Sequence, residues 1–197
     1  MAEQLLTAAL EIQRRMGDNY GVCASLNQLA LSKLLSGESK RARDLLDESF
    51  AISQRLDNTS GDVETVRLLG EAVAEEDYGL AERLLGDSLK LAREPDHLYE
   101  LSQSLYSLGC ARASAGATEQ ARQLFEESLD IAERFNDPYT IARNQLKLGS
   151  LAFLRSEADN AKELVRRAFE ILTDLRSPEA ETARRELARI EGGESMP

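Results

Sequence analysis

The chain has 197 residues, 42% hydrophobic and 30% charged, with no tryptophan. Leu and Ala supply most of the apolar mass, which suits long helices better than a β-sandwich built on Val, Ile, Thr and aromatic residues. A net charge of −11 argues against a nucleic-acid grip, because a phosphate backbone needs a basic surface that displaces its counterions.

The first predicted element is the helix "AEQLLTAALEIQRRM" at 2–16. Its apolar run is far shorter than a secretory signal, and no later stretch approaches the ~18 apolar residues of a membrane span. The chain is therefore expected to be a soluble, cytoplasmic protein without membrane partners. Leu5, Leu6, Ala9, Leu10 and Ile12 follow Ala2 in helical register. The same pattern returns from Ala42, Ala81, Ala121 and Ala161, at steps of 40, 39, 40 and 40 residues. In the fourth copy the stripe is Leu124, Phe125, Ser128, Leu129 and Ile131. In the fifth it is Leu164, Val165, Ala168, Phe169 and Ile171.

A further helix precedes each alanine from the second copy onward. It centres on Leu29-Ala30, Leu68-Leu69, Leu108-Gly109 and Leu148-Gly149. Turn-like stretches "SGESKRA", "EEDYGLA", "AGATEQA" and "RSEADNA" join it to the helix that follows. Gly37 and Gly116 stand where a helix end favours a left-handed residue. Asp137-Pro138 and Ser177-Pro178 read as an N-cap with proline at the first helical position. The small residues have a steric role, since antiparallel helices cross closely only where one side lacks bulk. Ala121 is expected to face Gly109, and Ala161 to face Gly149. The second copy is one residue short, placed near 58–67. The last element is a polar helix at 178–191, suited to a solvating cap. Residues 192–197 are expected to form a disordered tail.

The pattern resembles the tetratricopeptide repeat in its long, forty-residue form. The residues that carry the resemblance are the Leu-Gly pairs at 108–109 and 148–149, "EDYGLA" at 76–81, the repeat alanines and the bulky residue four after each. The first-helix tryptophan of the repeat is replaced by Leu26, Leu105 and Gln145. The resemblance implies a single all-α, right-handed α-solenoid over 1–191: a lone helix at 2–16, four antiparallel pairs within 19–175 and the closing helix, about ten helices in all.

Catalytic chemistry finds little support. One His and two Cys cannot assemble a zinc set, and there is no phosphate-binding glycine loop. No cofactor or metal is expected. His97, beside Asp96, reads as a surface or capping residue. Cys23 and Cys110 fall two repeats apart, roughly 16–20 Å at ~8–10 Å per neighbouring helix. A disulfide needs Cα atoms within ~7 Å, so both should be free thiols.

The resemblance places the first helices on a concave side, with four residues of each facing inward. These are Ala24, Asn27, Leu31 and Leu34; then Val63, Val66, Gly70 and Val73; then Gln103, Tyr106, Cys110 and Ala113; then Arg143, Leu146, Ser150 and Phe153. Such a wall is a candidate groove for a protein or peptide segment, with Asn27, Gln103, Tyr106 and Arg143 as polar handles. Leu31, Leu34, Leu146 and Phe153 read equally well as core. The inner positions hold no Lys, which argues against a clamp for a C-terminal carboxylate. Three functions stay open: a non-catalytic interaction module, the ligand-sensing part of a bacterial regulator, and an accessory protein that cups a hydrophobic molecule. Self-association through the N-terminal helix is compatible with the first.

The repeat assignment makes one mutational comparison decisive. Ala121→Leu should lower the melting temperature more than Glu126→Leu, because overpacking a helix crossing costs ~1–3 kcal/mol. Thermal denaturation followed by circular dichroism reads the order, and the reverse order refutes the assignment.

Overall fold

The computed structural model describes residues 2–56, 59–93 and 97–192. Among them are ten helices and no strand: α1 (Ala2–Met16), α2 (Asn19–Leu35), α3 (Ser39–Leu56), α4 (Thr59–Val73), α5 (Tyr78–Ala92), α6 (Leu98–Ser114), α7 (Thr118–Phe135), α8 (Pro138–Leu154), α9 (Ala158–Asp174) and α10 (Ala180–Gly192). The closing helix starts two residues later than its Ser177-Pro178 signal suggests. Ser177 Oγ nevertheless accepts from the Glu179 amide at 3.2 Å, which is the expected cap. The expected tail opens at Gly192, which closes α10, and residues 193–197 lie outside the described ones, as does Asp96.

The chain divides into two compact units, Met1–Ala111 and Arg112–Pro197. In the first, each of α1 to α5 packs on its neighbour in sequence, and α2 also touches α4. Its core is one cluster of Leu10, Val22, Cys23, Leu26, Leu29 and Ile52, and another of Ala30, Ala42, Leu46, Leu68 and Ala72. In the second unit, α7 packs on α8, α8 on α9 and α9 on α10, with α8 and α10 also in contact. Ala142, Leu146, Val165, Ala168, Leu172, Ala183 and Ile190 are buried there.

The repeat alanines occupy the crossings that their size suggests. Ala42, Ala81, Ala121 and Ala161 are all fully buried. A Cβ placed on Gly149 would stand 2.5 Å from Val165 Cγ2 and 3.1 Å from the Ala161 carbonyl oxygen, so α8 and α9 touch through the pair expected from the sequence. Gly70 does the same against Leu85, at 2.7 Å from its Cγ. Gly70 is thus the counterpart of Gly149 although it lies one residue closer to its alanine. This moves the missing residue of the short copy from the expected 58–67 into the stretch between Gly70 and Ala81.

A second periodic contact joins each pair to the next. Ser88 Oγ lies 2.7 Å from Ser104 Oγ, Asn144 Nδ2 donates to Ser128 Oγ at 2.9 Å, and Ser49 and Thr65 hydroxyls meet at 3.4 Å. Each bond spans 16 residues. The buried hydroxyls let second helices approach the following first helices closely while keeping their own polarity satisfied. Helix ends follow the same economy. Asp137 accepts from the Tyr139 and Thr140 amides, as its place before Pro138 suggests. Gly37 and Gly116 have φ of 74° and 78°. Asn136 takes a similar left-handed conformation, which suits an asparagine after a helix, and so do Ser156 and Arg176, whose identities do not advertise it.

The glycines separate close approach from mere helix permissiveness. Gly149→Ala should destabilise by about 1–3 kcal/mol, because backbone and a β-branched side chain must both give way. Gly86→Ala, inside α5 with nothing within 4 Å of the new Cβ, should stabilise by about 0.5–1 kcal/mol. Urea titrations of the two variants check the opposite signs.

Candidate functional site

Arg143, Leu146, Ser150 and Phe153 recur at spacings of 3, 4 and 3 and therefore share one stripe of α8. That stripe meets α10. Arg143 Nε lies 3.7 Å from Glu179 Oε1, and its guanidinium stands 5.4 Å from the Tyr139 ring centroid. Ser150 Oγ donates to Glu186 Oε1 at 2.7 Å, and the Arg189 guanidinium sits 4.6 Å from the centre of the Phe153 ring while pairing with Glu186 at 2.7 Å. Leu146 is buried in the cluster that holds Ala183 and Ile190. Each polar partner lies 36 residues after the residue it meets, so neighbouring first helices are joined laterally at equivalent positions.

The first unit repeats the device with other residues. Asn27 is buried; its Nδ2 donates to Glu64 Oε2 at 2.9 Å, and its Oδ1 accepts from Thr65 Oγ1 at 3.2 Å. Arg67 donates to Glu71 Oε1 at 2.6 Å, and the Ser107 hydroxyl donates to the same oxygen. Leu31 and Leu34 are half-buried and pack against the cluster of Ala30 and Leu68. Gln103 and Cys110 are half-buried, whereas Tyr106 and Val66 are buried. Val63 and Val73 are buried as well, whereas Glu64, Arg67 and Glu71, each one residue on from Val63, Val66 and Gly70, are half-buried. The shift follows directly from where the short copy loses its residue.

The lateral bonds hold ionised groups in place. The Arg189 guanidinium, and after it the Ser150 hydroxyl, keeps the Glu186 carboxyl below the ordinary 4.5. Burial raises the Cys23 thiol, which stays protonated and poorly nucleophilic at neutral pH. Both cysteines are free. His97 is half-buried, and its carbonyl oxygen accepts from the Leu101 amide at 2.8 Å at the start of α6. Among the described residues no three His, Cys, Asp or Glu side chains converge as metal ligands, and no helix is long and apolar enough to cross a membrane. What the first-helix faces present is a set of donors and acceptors at fixed spacing.

A cleft of about 490 Å³ lies on α7, α8 and α9, with Leu129, Leu148, Ala152 and Leu164 in its lining. Its rim is a chain of ion pairs: Arg122 bridges Glu126 and Glu119, and Arg155 bridges Glu119 and Glu157 at 3.4 and 3.1 Å. The two guanidinium groups offset two of the three carboxylates, so the rim keeps only one net negative charge to direct at a ligand.

Sequence reasoning named Asn27, Arg143, Ser150 and Phe153 but missed their partners Glu64, Glu179, Glu186 and Arg189, and it missed Arg67, Glu71 and Ser107 altogether. A signal was present, since each bond joins positions 36 or 37 residues apart. Using it requires knowing that consecutive first helices lie side by side.

This arrangement is that of tetratricopeptide-like repeat proteins, the class to which the similar solved structures belong. BtubC (BKLC) from P. vanneervenii is 16% identical with a TM-score of 0.76, over 96% of this chain and 82% of that one. A Rap protein complexed with competence and sporulation factor is 15% identical with a TM-score of 0.66, over 97% of this chain and 58% of that one. A signal transduction ATPase with a tetratricopeptide repeat sensor from Pyrococcus horikoshii is 13% identical with a TM-score of 0.67, over 90% of this chain and 28% of that one. No protein-family model and no curated protein matches the sequence. At these identities the likeness defines the fold.

The Glu186 contacts carry a pH signature. A carboxyl held below 4.5 when folded contributes stability above that pH and loses it as the pH falls through the folded value. Glu186→Gln should cost about 1 kcal/mol at pH 7, with the difference from wild type shrinking below pH 4.5. Chemical denaturation at several pH values measures both.

Proposed function

We propose that the protein is a non-catalytic interaction module that takes a protein or peptide segment on the exposed face of its first helices. The observation that carries this reading is the lateral bonding there. Buried Asn27 and Ser107 hold half-buried Glu64 and Glu71 from beneath, and Arg67 pairs with Glu71, so the charged groups at the surface are immobilised before any partner arrives. Half-buried Gln103 and Cys110 stand on the same helix as Ser107. A segment laid across these helices would find acceptors and donors whose ordering entropy is already spent, beside the apolar flanks of Leu31 and Leu34. In the second unit, Arg143, Ser150 and Phe153 form the corresponding surface, with Leu146 beneath them. Arg143 already faces Glu179, which does not suit a lone clamp for a terminal carboxylate. Location in the cytoplasm accords with this role.

The Rap neighbour is complexed with a competence and sporulation factor, and the Pyrococcus neighbour carries a repeat sensor. Both support the related reading that the module is the ligand-sensing part of a regulator. The two readings differ in whether the ligand is a peptide or a metabolite.

Panning an unbiased peptide library on the intact protein, then titrating the enriched peptide by fluorescence anisotropy, tests the proposal. Binding should weaken about tenfold or more in Gln103→Ala or Glu71→Ala and stay unchanged in Glu126→Ala on α7. No enriched peptide, or binding insensitive to Gln103 and Glu71, overturns it. A metabolite that raises the melting temperature where no peptide binds favours the sensor reading.

A further inference from the structure

We infer that the segment bound on the first-helix face of the Met1–Ala111 unit is basic, with a Lys or Arg that settles between Glu64 of α4 and Glu100 of α6. An apolar residue of the same segment rests on Leu31 and Leu34. The inference rests on the reading of that face as a binding surface and names the chemistry of its partner. Lateral pairing fixes where the acids stand. In the second unit Arg143 meets Glu179 and, seven residues further on, Ser150 meets Glu186, so one offset of 36 residues holds over two turns of neighbouring first helices. In the first unit Ser107 bonds Glu71 at the same offset of 36. Seven residues earlier on the same two helices stand Glu64 and Glu100, both half-buried. The register that sets an arginine opposite a glutamate in one unit therefore sets two glutamates opposite each other in the other.

The unit itself does not answer this charge. Arg67 is committed to Glu71 at 2.6 Å, and no ion pair among the described residues reaches Glu64 or Glu100. Beneath them, buried Asn27 donates to Glu64 Oε2 at 2.9 Å, a neutral donor that fixes the carboxylate and leaves its charge in place. Glu100 lies in the first turn of α6, whose dipole offsets part of its charge and lets the two acids coexist until a cation arrives. Three carboxylates, Glu64, Glu71 and Glu100, thus stand against one guanidinium on this face. Half-burial lowers the local dielectric, so a cation gains more here than on open surface. A single metal ion does not fit. Glu64 and Glu71 are two helical turns apart, about 10 Å, and no described acids converge as metal ligands. That spacing suits a chain instead. Leu31 and Leu34 follow Asn27 by one and two turns and are half-buried at the α2 edge of the face, where they offer an apolar seat just past the acids. The aliphatic stem of a Lys or Arg can lie toward them while its head reaches Glu64.

Peptides enriched on the intact protein from an unbiased library test the inference. They should carry Lys or Arg near an aliphatic or aromatic residue. Replacing that base by Gln should weaken binding about tenfold or more in fluorescence anisotropy. Raising the salt from about 50 to about 500 mM should weaken it several-fold. Glu64→Gln, whose amide oxygen still accepts from Asn27, and Glu100→Gln should each weaken it about fivefold or more and flatten the salt dependence. Helical circular dichroism should be unchanged in both, and Glu126→Gln on α7 should bind as wild type does. An enriched peptide that is acidic or uncharged, or one whose affinity ignores both Glu64→Gln and Glu100→Gln, overturns the inference. The binding surface itself still stands in that case if Gln103→Ala weakens the complex. A protein that enriches no peptide overturns both.

Discussion

Close contact between helix backbones is the constraint on which the rest of this structure depends. At Gly149 the nearest atoms of α9 leave no room for even a methyl group, and at Gly70 a leucine side chain fills that space. The fully buried alanines at 42, 81, 121 and 161 keep the second helices slim at their own crossings. Dispersion forces decay within fractions of an ångström, so this tight spacing is what lets modest Leu and Val side chains form a core without tryptophan. It also sets the distance between successive first helices, and thereby the lateral bonds of the candidate site.

Polarity is used periodically in the same way. A buried hydroxyl on the second helix bonds a hydroxyl or amide sixteen residues later, in three successive copies. A bonded hydroxyl is nearly as small as a methyl and satisfies a partner that would otherwise be orphaned. In the fifth copy Ala168 takes the place of Ser and is equally buried. There the next helix is α10, whose face toward this core is Ala183 and Ile190. The ladder thus ends where the helix beyond it offers methyl groups.

Much of the fold was legible because helical periodicity and small-residue spacing are local properties of a chain. The helix starts at Asp137 and Ser177, the left-handed glycines at 37 and 116, and the crossing of Ala161 with Gly149 could all be read from the residues alone. The short copy was recognised but its missing residue was put before Gly70 instead of after it. A gap is invisible to composition until a contact such as Gly70 with Leu85 pins the register. The candidate site suffered most, since one step along α4 exchanges buried Val63 and Val66 for half-exposed Glu64 and Arg67.

By itself the sequence determined the all-helical repeat, its period and the residues too small to be anything but crossing points, because each follows from the geometry of a single helix or of two neighbours in the chain. Only the tertiary structure decided which side of each first helix stays open, and that Asn27, Arg143 and Ser150 are held by acidic residues 36 or 37 positions further on. Those pairings arise between helices that are not consecutive. Their distances are set by how whole pairs stack, which no local pattern of residues encodes.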